Sequence, residues 1–409
     1  MANIRPFKAI RPIRDKSHLF ASRSYITYSQ SSLTDKLDNN PFTFLHIIHP
    51  DYNKKKIHGI EKYKLVKQKF EEFIHEGILK NEEKNSFYIY HQSKNGNCFT
   101  GIIAATAIND YLDGTIKIHE HTITSREEMF KDYLKESKFN ADPVLLSYSD
   151  SNTINSITKK YSDKRAEYEF TTTNKVCHKL WIIDNKEDIK NIIDEFATIE
   201  NIYIADSHHR TASSSLLCKN LREENPNYNP KDNFNYFMSY LIPESQLRIL
   251  NFNRLIKTTN GLSENEFIEK IEKFYSVTNK GTEIHSPIIK DEISMYLGKN
   301  WYSLIAHSKE YSSISESLDP SILSKNILSP ILGITDEKTD KNISFYDGTI
   351  PLEELRNKVD SNEYSIAFIL KPIDIESLKK VSDNNEIMPP KSTYILPKLR
   401  SGLTIYKLY

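Results

Sequence analysis

The chain has 409 residues, enough for two or three hydrophobic cores, and its 38% apolar content with 24 Tyr and 19 Phe is that of a globular protein and not a disordered one. Basic and acidic side chains balance at 55 each, which excludes a uniformly cationic surface for coating nucleic acid. The first residues lack an apolar signal core and no run approaches the roughly 18 apolar residues of a membrane span, so a cytoplasmic protein with neither nucleic-acid nor membrane partners is expected.

Residues 4–14, I-R-P-F-K-A-I-R-P-I-R, form a Pro-punctuated extended segment carrying Arg5, Lys8, Arg11 and Arg14. These cations suit either a solvated arm or an anionic substrate. Residues 41–48 alternate aromatic and aliphatic side chains and are expected as a strand. Ile60, Tyr63, Val66, Phe70, Phe73 and Ile74 recur at three-to-four spacing, which predicts an amphipathic helix over 59–79. Residues 86–92 and 99–105 flank Asn95-Gly96-Asn97 as the arms of a hairpin.

The stretch K-I-H-E-H-T, residues 117–122, is dense in chemistry. If extended, Lys117, His119 and His121 share one face and Glu120 takes the other; if the segment turns, all of them converge. Ser125 and Glu128 have the spacing of a capping box that opens a helix to about residue 136. Strands are expected at 144–148, 168–171 and 176–183, the last two as a pair that holds His178 in its ladder. A helix follows over 186–197, then a strand over 202–205, a turn over 206–209 and a helix over 210–222.

Beyond Pro226, strands are expected at 234–241, 247–252, 343–346 and 365–370, and a hairpin over 292–308 around Gly298-Lys299-Asn300. Helices are expected over 263–274, 318–332, 351–359 and 373–381. Arg254 offers a further guanidinium after the second of these strands, and the P-P-K-S-T and P-K-L-R-S-G stretches near the end suit a loop beside phosphate. Three widely spaced cysteines, Cys98, Cys177 and Cys218, give neither a disulfide framework nor a zinc pattern. The alternation of strands and helices makes the class α/β, mixed α+β.

Asp206-Ser207-His208-His209-Arg210 sits between strand and helix. Read plainly, Asp206 caps the helix and the imidazoles are solvated. Read chemically, a helix N-terminus favours an anion, Arg210 adds a planar fork for phosphate oxygens, and Asp206 accepts a proton or holds a metal ion.

Seven ordered motifs carry a resemblance over residues 4–403: I-R-P-F-K-A-I-R-P, I-K-I-H-E-H-T, H-K-L-W, I-A-D-S-H-H-R-T-A-S, N-R-L-I-K, S-P-I-L-G-I and M-P-P-K-S-T-Y-I-L-P-K-L-R-S-G-L. They resemble a family long described as a domain of unknown function, related to free serine kinases of the ParB/sulfiredoxin-like fold and bearing a D-G-H-H-R signature. The resemblance implies a ParB/sulfiredoxin-like core within residues 1–255 and a mixed-sheet region over 256–409 that completes the site. It also implies a pyrophosphate-dependent kinase that converts L-serine to O-phospho-L-serine with Mg2+.

On that resemblance Asp206, Glu120 and His209 are catalytic, with Asp206 as a possible metal ligand. His208, Arg210, Lys117, His119, Thr122, Arg254, Lys391, Ser392, Thr393, Lys398 and Arg400 would bind substrate or phosphate. The chain departs from the family at Ser207, which replaces the signature glycine, at Ile123, which replaces an arginine, and at Leu396, which replaces a glutamate. Two alternatives stand beside this reading: a nucleoside polyphosphate as the donor, or a ParB-like ligand-binding protein without turnover.

Overall fold

In a computed structural model, which describes every residue except Lys309, the chain divides into two compact units. Met1–Leu247 with Pro397–Tyr409 makes the first, and Arg248–Leu396 the second. The division thus falls after Leu247, where the sequence suggested residue 255, and the closing segment returns to the first unit.

Among the described residues the first unit is built on a nine-stranded mixed sheet. Its strands run in the order Ile116–Lys117, Ile202–Asp206, Val144–Tyr148, Tyr236–Pro243, Asn97–Ala107, Phe87–Lys94, Cys177–Ile183 and Tyr168–Thr171, and Ile4–Arg5 pairs with Asn97–Ala107. Two pairings are parallel, Ile202–Asp206 with Ile116–Lys117 and Tyr236–Pro243 with Val144–Tyr148. The hairpin closes where expected, since Asn95 and Gly96 take φ of 49° and 78°, the left-handed pair that a tight turn between twisted strands requires. Helix Lys186–Phe196 is capped by the Asn185 side chain, which accepts from the Glu187 and Asp188 amides, and buries Ile192 and Phe196 in the same core as Ile202, Ile204 and Leu146.

Several expectations need correction. Residues 41–48 are not a strand: Phe44 and Ile47 bury from a turn and a short helix, Leu45–Ile48, in a second cluster with Phe20 and Phe70, and Leu45 is buried as well. The four N-terminal cations are not a common anion site. Arg11 is buried on Glu82, Glu167 and the Tyr168 hydroxyl, at 2.6, 2.8 and 2.6 Å, and Arg5 stacks on Tyr236 and donates to the Lys231 carbonyl. Helix Asn152–Ser162 was missed; its Ile154, Ile157 and Tyr161 are buried amid a polar sequence.

The second unit holds, among the described residues, a six-stranded antiparallel sheet. Its order is Tyr275–Gly281, Asn300–Ala306, Glu292–Leu297, Ile366–Leu370, Phe252–Ile256 and Ile343–Asp347. Helix Glu264–Ile271 opens with a full capping box between Ser263 and Glu266 and ends before Tyr275–Gly281, a strand the sequence reading had left out. The expected strand over 247–252 splits at Asn251, so Arg248–Leu250 pairs with Tyr394–Leu396 and Arg254 lies inside the next strand.

One glycine fixes how the first sheet packs. A Cβ on Gly101 would meet the Leu241 carbonyl oxygen at 2.5 Å and the Tyr240 ring at 2.7 Å. That ring is itself held by its hydroxyl, which donates to the Tyr90 carbonyl at 3.1 Å. Gly101→Ala is therefore expected to destabilise the protein by about 1–3 kcal/mol, the usual cost of overpacking, as read by urea denaturation.

Candidate functional site

The strand Ile202–Asp206 pairs antiparallel with Val144–Tyr148, and its register shifts between Ile204 and Asp206. Ile202 and Ile204 point into the core, and simple alternation would send Asp206 after them. The extra residue at Ala205 re-aims the carboxylate, which ends half-exposed. Ser207 follows at φ 82°, ψ 39°, the left-handed region that favours glycine. Helix His208–Glu224 begins at once, two residues sooner than expected. Arg210 lies in its first turn. The Arg210 amide is already spent on the Ser207 carbonyl at 3.0 Å, so any anion contact it makes comes from the guanidinium.

Residues 118–123 leave the sheet after Ile116–Lys117 and lie against this first turn. The His119 amide faces His208 Nε2 at 3.5 Å, and the Ile123 amide donates to His209 Nε2 at 3.1 Å. A ring nitrogen that accepts from an amide carries no proton, so each neutral ring bears its proton on Nδ1. His208 Nδ1 faces the Glu120 carboxylate at 3.8 Å, and the His119 and His208 rings meet edge to face at 4.5 Å. Burial pushes His119 down to about 4 despite the nearby Asp206 carboxylate. Burial, with His119 and His209 beside it, lowers His208 well below the ordinary imidazole range. The expected capping box at Ser125 is absent; helix Thr124–Ser137 starts after Ile123 with no side-chain cap, and the Thr122 hydroxyl bonds Glu127.

The closing segment supplies the cations. Lys398 Nζ donates to Asp206 Oδ2 at 2.8 Å. Crowding around the Asp206 carboxyl works against ionisation, but Lys398 and then Arg210 outweigh it and hold the group below the usual carboxylate range. Arg210 reaches Ser207 Oγ at 3.0 Å with Nη1 and Asp142 Oδ2 at 3.5 Å with Nη2. The Ser401 hydroxyl donates to Asp142. Asp142, which bridges these groups, was missed in the sequence; an Asp before Pro at the start of a strand gives no functional signal.

The first unit therefore gathers His119, Glu120, Thr122, Asp206, His208, His209, Arg210 and Lys398, with Arg400 two residues beyond Lys398. Lys117 lies in its strand opposite Tyr203. Arg254, Lys391, Ser392 and Thr393 belong to the second unit. There Arg254 is buried, donating to the Phe252 carbonyl at 2.7 Å and the Lys391 carbonyl at 3.4 Å, with Glu337 at 3.6 Å. Lys391 takes φ 57° with its ammonium over the Phe252 ring, and the Ser392 hydroxyl donates to the Pro389 carbonyl at 2.7 Å. Thr393 is half-buried.

No group of three or more His, Cys, Asp or Glu side chains is placed to hold a metal among the described residues. Asp206 is a single ionised hard-oxygen donor, of the kind a magnesium ion takes.

Two measurements follow from this geometry. Ser207→Gly relieves about 1–2 kcal/mol of left-handed strain but loses one hydrogen bond to Arg210, so unfolding is expected to show a net change within about 1 kcal/mol, whereas Ser207→Val should be clearly destabilising. His119 stays neutral to about 4 when folded against 6.5 for a free imidazole, so the unfolded chain binds the extra proton between those values. Stability should fall as pH drops from 6.5 to 4, by up to about 1.4 kcal/mol per pH unit from this ring, and His119→Gln should flatten that slope in pH-dependent urea titrations.

A family model described as "Protein of unknown function (DUF1015)" matches residues 4–321. No curated protein matches the chain in sequence. Among solved structures, a free serine kinase in complex with AMP superposes with a TM-score of 0.37 at 15% identity, over 76% of this chain and 93% of its own. SbnI with a C-terminal truncation, from Staphylococcus aureus, gives 0.37 at 12% over 74% and 87%. A conserved hypothetical protein from Pyrococcus furiosus gives 0.35 at 14% over 74% and 95%. Likenesses this slight carry no argument about activity.

Proposed function

The chain belongs to the DUF1015 family, and from that premise we propose that it transfers a phosphoryl group from pyrophosphate to the hydroxyl of free L-serine. The observation that supports this most is the Asp206 carboxylate, kept ionised by Lys398 at a strand end, beside a helix first turn that presents the Arg210 fork. The relation to ParB/sulfiredoxin-like serine kinases, and parts for Lys391, Ser392 and Thr393, rest on the sequence resemblance alone.

In this reading Asp206 takes the serine hydroxyl proton, the oxygen attacks the near phosphorus, and the bond to the bridging oxygen breaks to release phosphate. A carboxylate held low by Lys398 is a weak base, so the arriving donor must draw Lys398 onto its own oxygens; Asp206 then regains basicity at the moment it is needed. Arg210 holds the transferring group and Lys398 the departing phosphate. His208 and His209, neutral and committed to the loop through Nε2, position Glu120 beside the acceptor. Were magnesium held by Asp206, it would supply further charge neutralisation, and the serine proton would then go to Glu120 in place of Asp206. We place this reaction in the cytoplasm; among the described residues no helix is long and apolar enough to cross a membrane.

A nucleoside polyphosphate would use the same groups. The reading without turnover is favoured by Ile123 and Leu396, which replace charged family residues. Phosphoserine formation, measured with pyrophosphate and ATP in parallel, separates the three. Protein that binds serine and transfers phosphate from neither donor leaves only the binding role. Asp206→Asn should abolish turnover with pyrophosphate binding largely kept, since the amide retains shape but takes no proton. Arg210→Lys should raise the pyrophosphate KM by about tenfold or more, because a point charge replaces a fork.

A further inference from the structure

Asp142 stands within the site, yet the chemistry above gives it no part. Its backbone is pinned on both sides. The Asp142 amide donates to Asn140 Oδ1 at 3.2 Å, the Ala141 carbonyl before it accepts from the Gly402 amide at 3.0 Å, and Pro143 after it favours an extended conformation. The carboxylate is engaged at both oxygens. Oδ1 accepts from the Ser401 hydroxyl, and Oδ2 faces Arg210 Nη2 at 3.5 Å. Ser401 is itself held, exchanging main-chain hydrogen bonds with Ser22 at 2.8 and 3.3 Å.

The pair that Asp142 forms with Arg210 adds little to folding. The two side chains are 34% and 30% exposed, and water and salt screen ion pairs of that kind. What the pair sets is direction. Ser207 Oγ takes Arg210 Nη1 at 3.0 Å and Asp142 draws Nη2, so the guanidinium plane is held at both ends and its remaining N–H groups are left for an anion. A fork ordered before the ligand arrives spares the entropy of ordering it on binding. Ser401 matters because, with Oδ1 occupied, the Asp142 carboxylate is kept from turning away from Arg210.

We propose that Asp142 is a positioning residue for the phosphoryl donor, which it serves by orienting the Arg210 fork. The proposal rests on the kinase reading for naming pyrophosphate as the ligand, while the contacts among Ser401, Asp142, Arg210 and Ser207 are independent of that reading. It also carries a sign that charge alone would reverse. A carboxylate beside an anion site repels the anion, so if Asp142 acted only through its charge, removing that charge would tighten phosphate binding. If it orients the fork, removing the charge loosens phosphate binding.

The test is titration calorimetry with pyrophosphate and inorganic phosphate on wild type, Asp142→Asn, Arg210→Lys and the double variant, with phosphoserine kinetics and NMR of the arginine side-chain N–H groups alongside. Asparagine keeps the shape and still accepts from Ser401, but turns an amide N–H toward Arg210, so the fold is retained and only the orienting contact goes. Asp142→Asn is expected to weaken pyrophosphate binding about three- to tenfold and to raise its KM to match, with kcat changed less than about twofold. In the free protein it should also broaden the Arg210 N–H signals, and in the Arg210→Lys background it should weaken binding no further. Pyrophosphate affinity that is unchanged or tighter in Asp142→Asn, losses that add in the double variant, Arg210 signals that stay as they were, or wild type that binds neither anion overturns the proposal. Turnover with an unaltered KM in Asp142→Asn removes the positioning role and keeps the kinase. Weakened pyrophosphate binding in a protein without turnover does the reverse.

Discussion

A strand places alternate side chains on opposite faces, and the first unit turns on one exception to that rule. Ile202 and Ile204 are committed to the core, so Asp206 in plain register would be a carboxylate buried among apolar side chains. The bulge at Ala205 avoids this by spending one residue out of step with Leu145 and Leu146. The left-handed Ser207 then turns the chain into helix His208–Glu224 with no intervening loop. The carboxylate, the helix first turn and the cations that answer them all take their positions from that single irregularity.

The histidines of the site work by staying neutral. His119 and His208 are too buried to ionise near pH 7, and the ring nitrogens of His208 and His209 serve as acceptors for the backbone of the 119–123 segment. The loop is thus anchored without adding charge, and positive potential at the site belongs to Arg210 and Lys398. Were the imidazoles charged, their amide contacts would be lost and the loop would be repelled from the helix.

Local chemistry was legible in the amino-acid order where a short stretch decides it. Asn95-Gly96 announced the hairpin, the apolar spacing between 186 and 197 announced the helix, and the motif at 206–210 announced a polar junction between strand and helix. What was not legible depends on distant partners. I-Y-I-A-D reads as an unbroken strand, because a bulge is decided by the neighbour at Leu145. Arg11 and Arg254 read as available cations because Glu82, Glu167 and Glu337 lie far away in the chain. Residues 41–48 offered an aromatic alternation too brief to distinguish a strand from a buried helical turn.

Lys398 reaches Asp206 across a sequence separation of 192 residues. At translation rates of roughly 5–20 residues per second, the ribosome finishes the carboxylate roughly 10–40 s before it makes the ammonium that neutralises it. For that interval the nascent first unit has its nine-stranded sheet's residues in hand but holds Asp206 beside Arg210 alone, and Tyr406 has yet to bond the Asn233 carbonyl and Arg5. The site is consequently completed last, by a segment synthesised after the entire second unit.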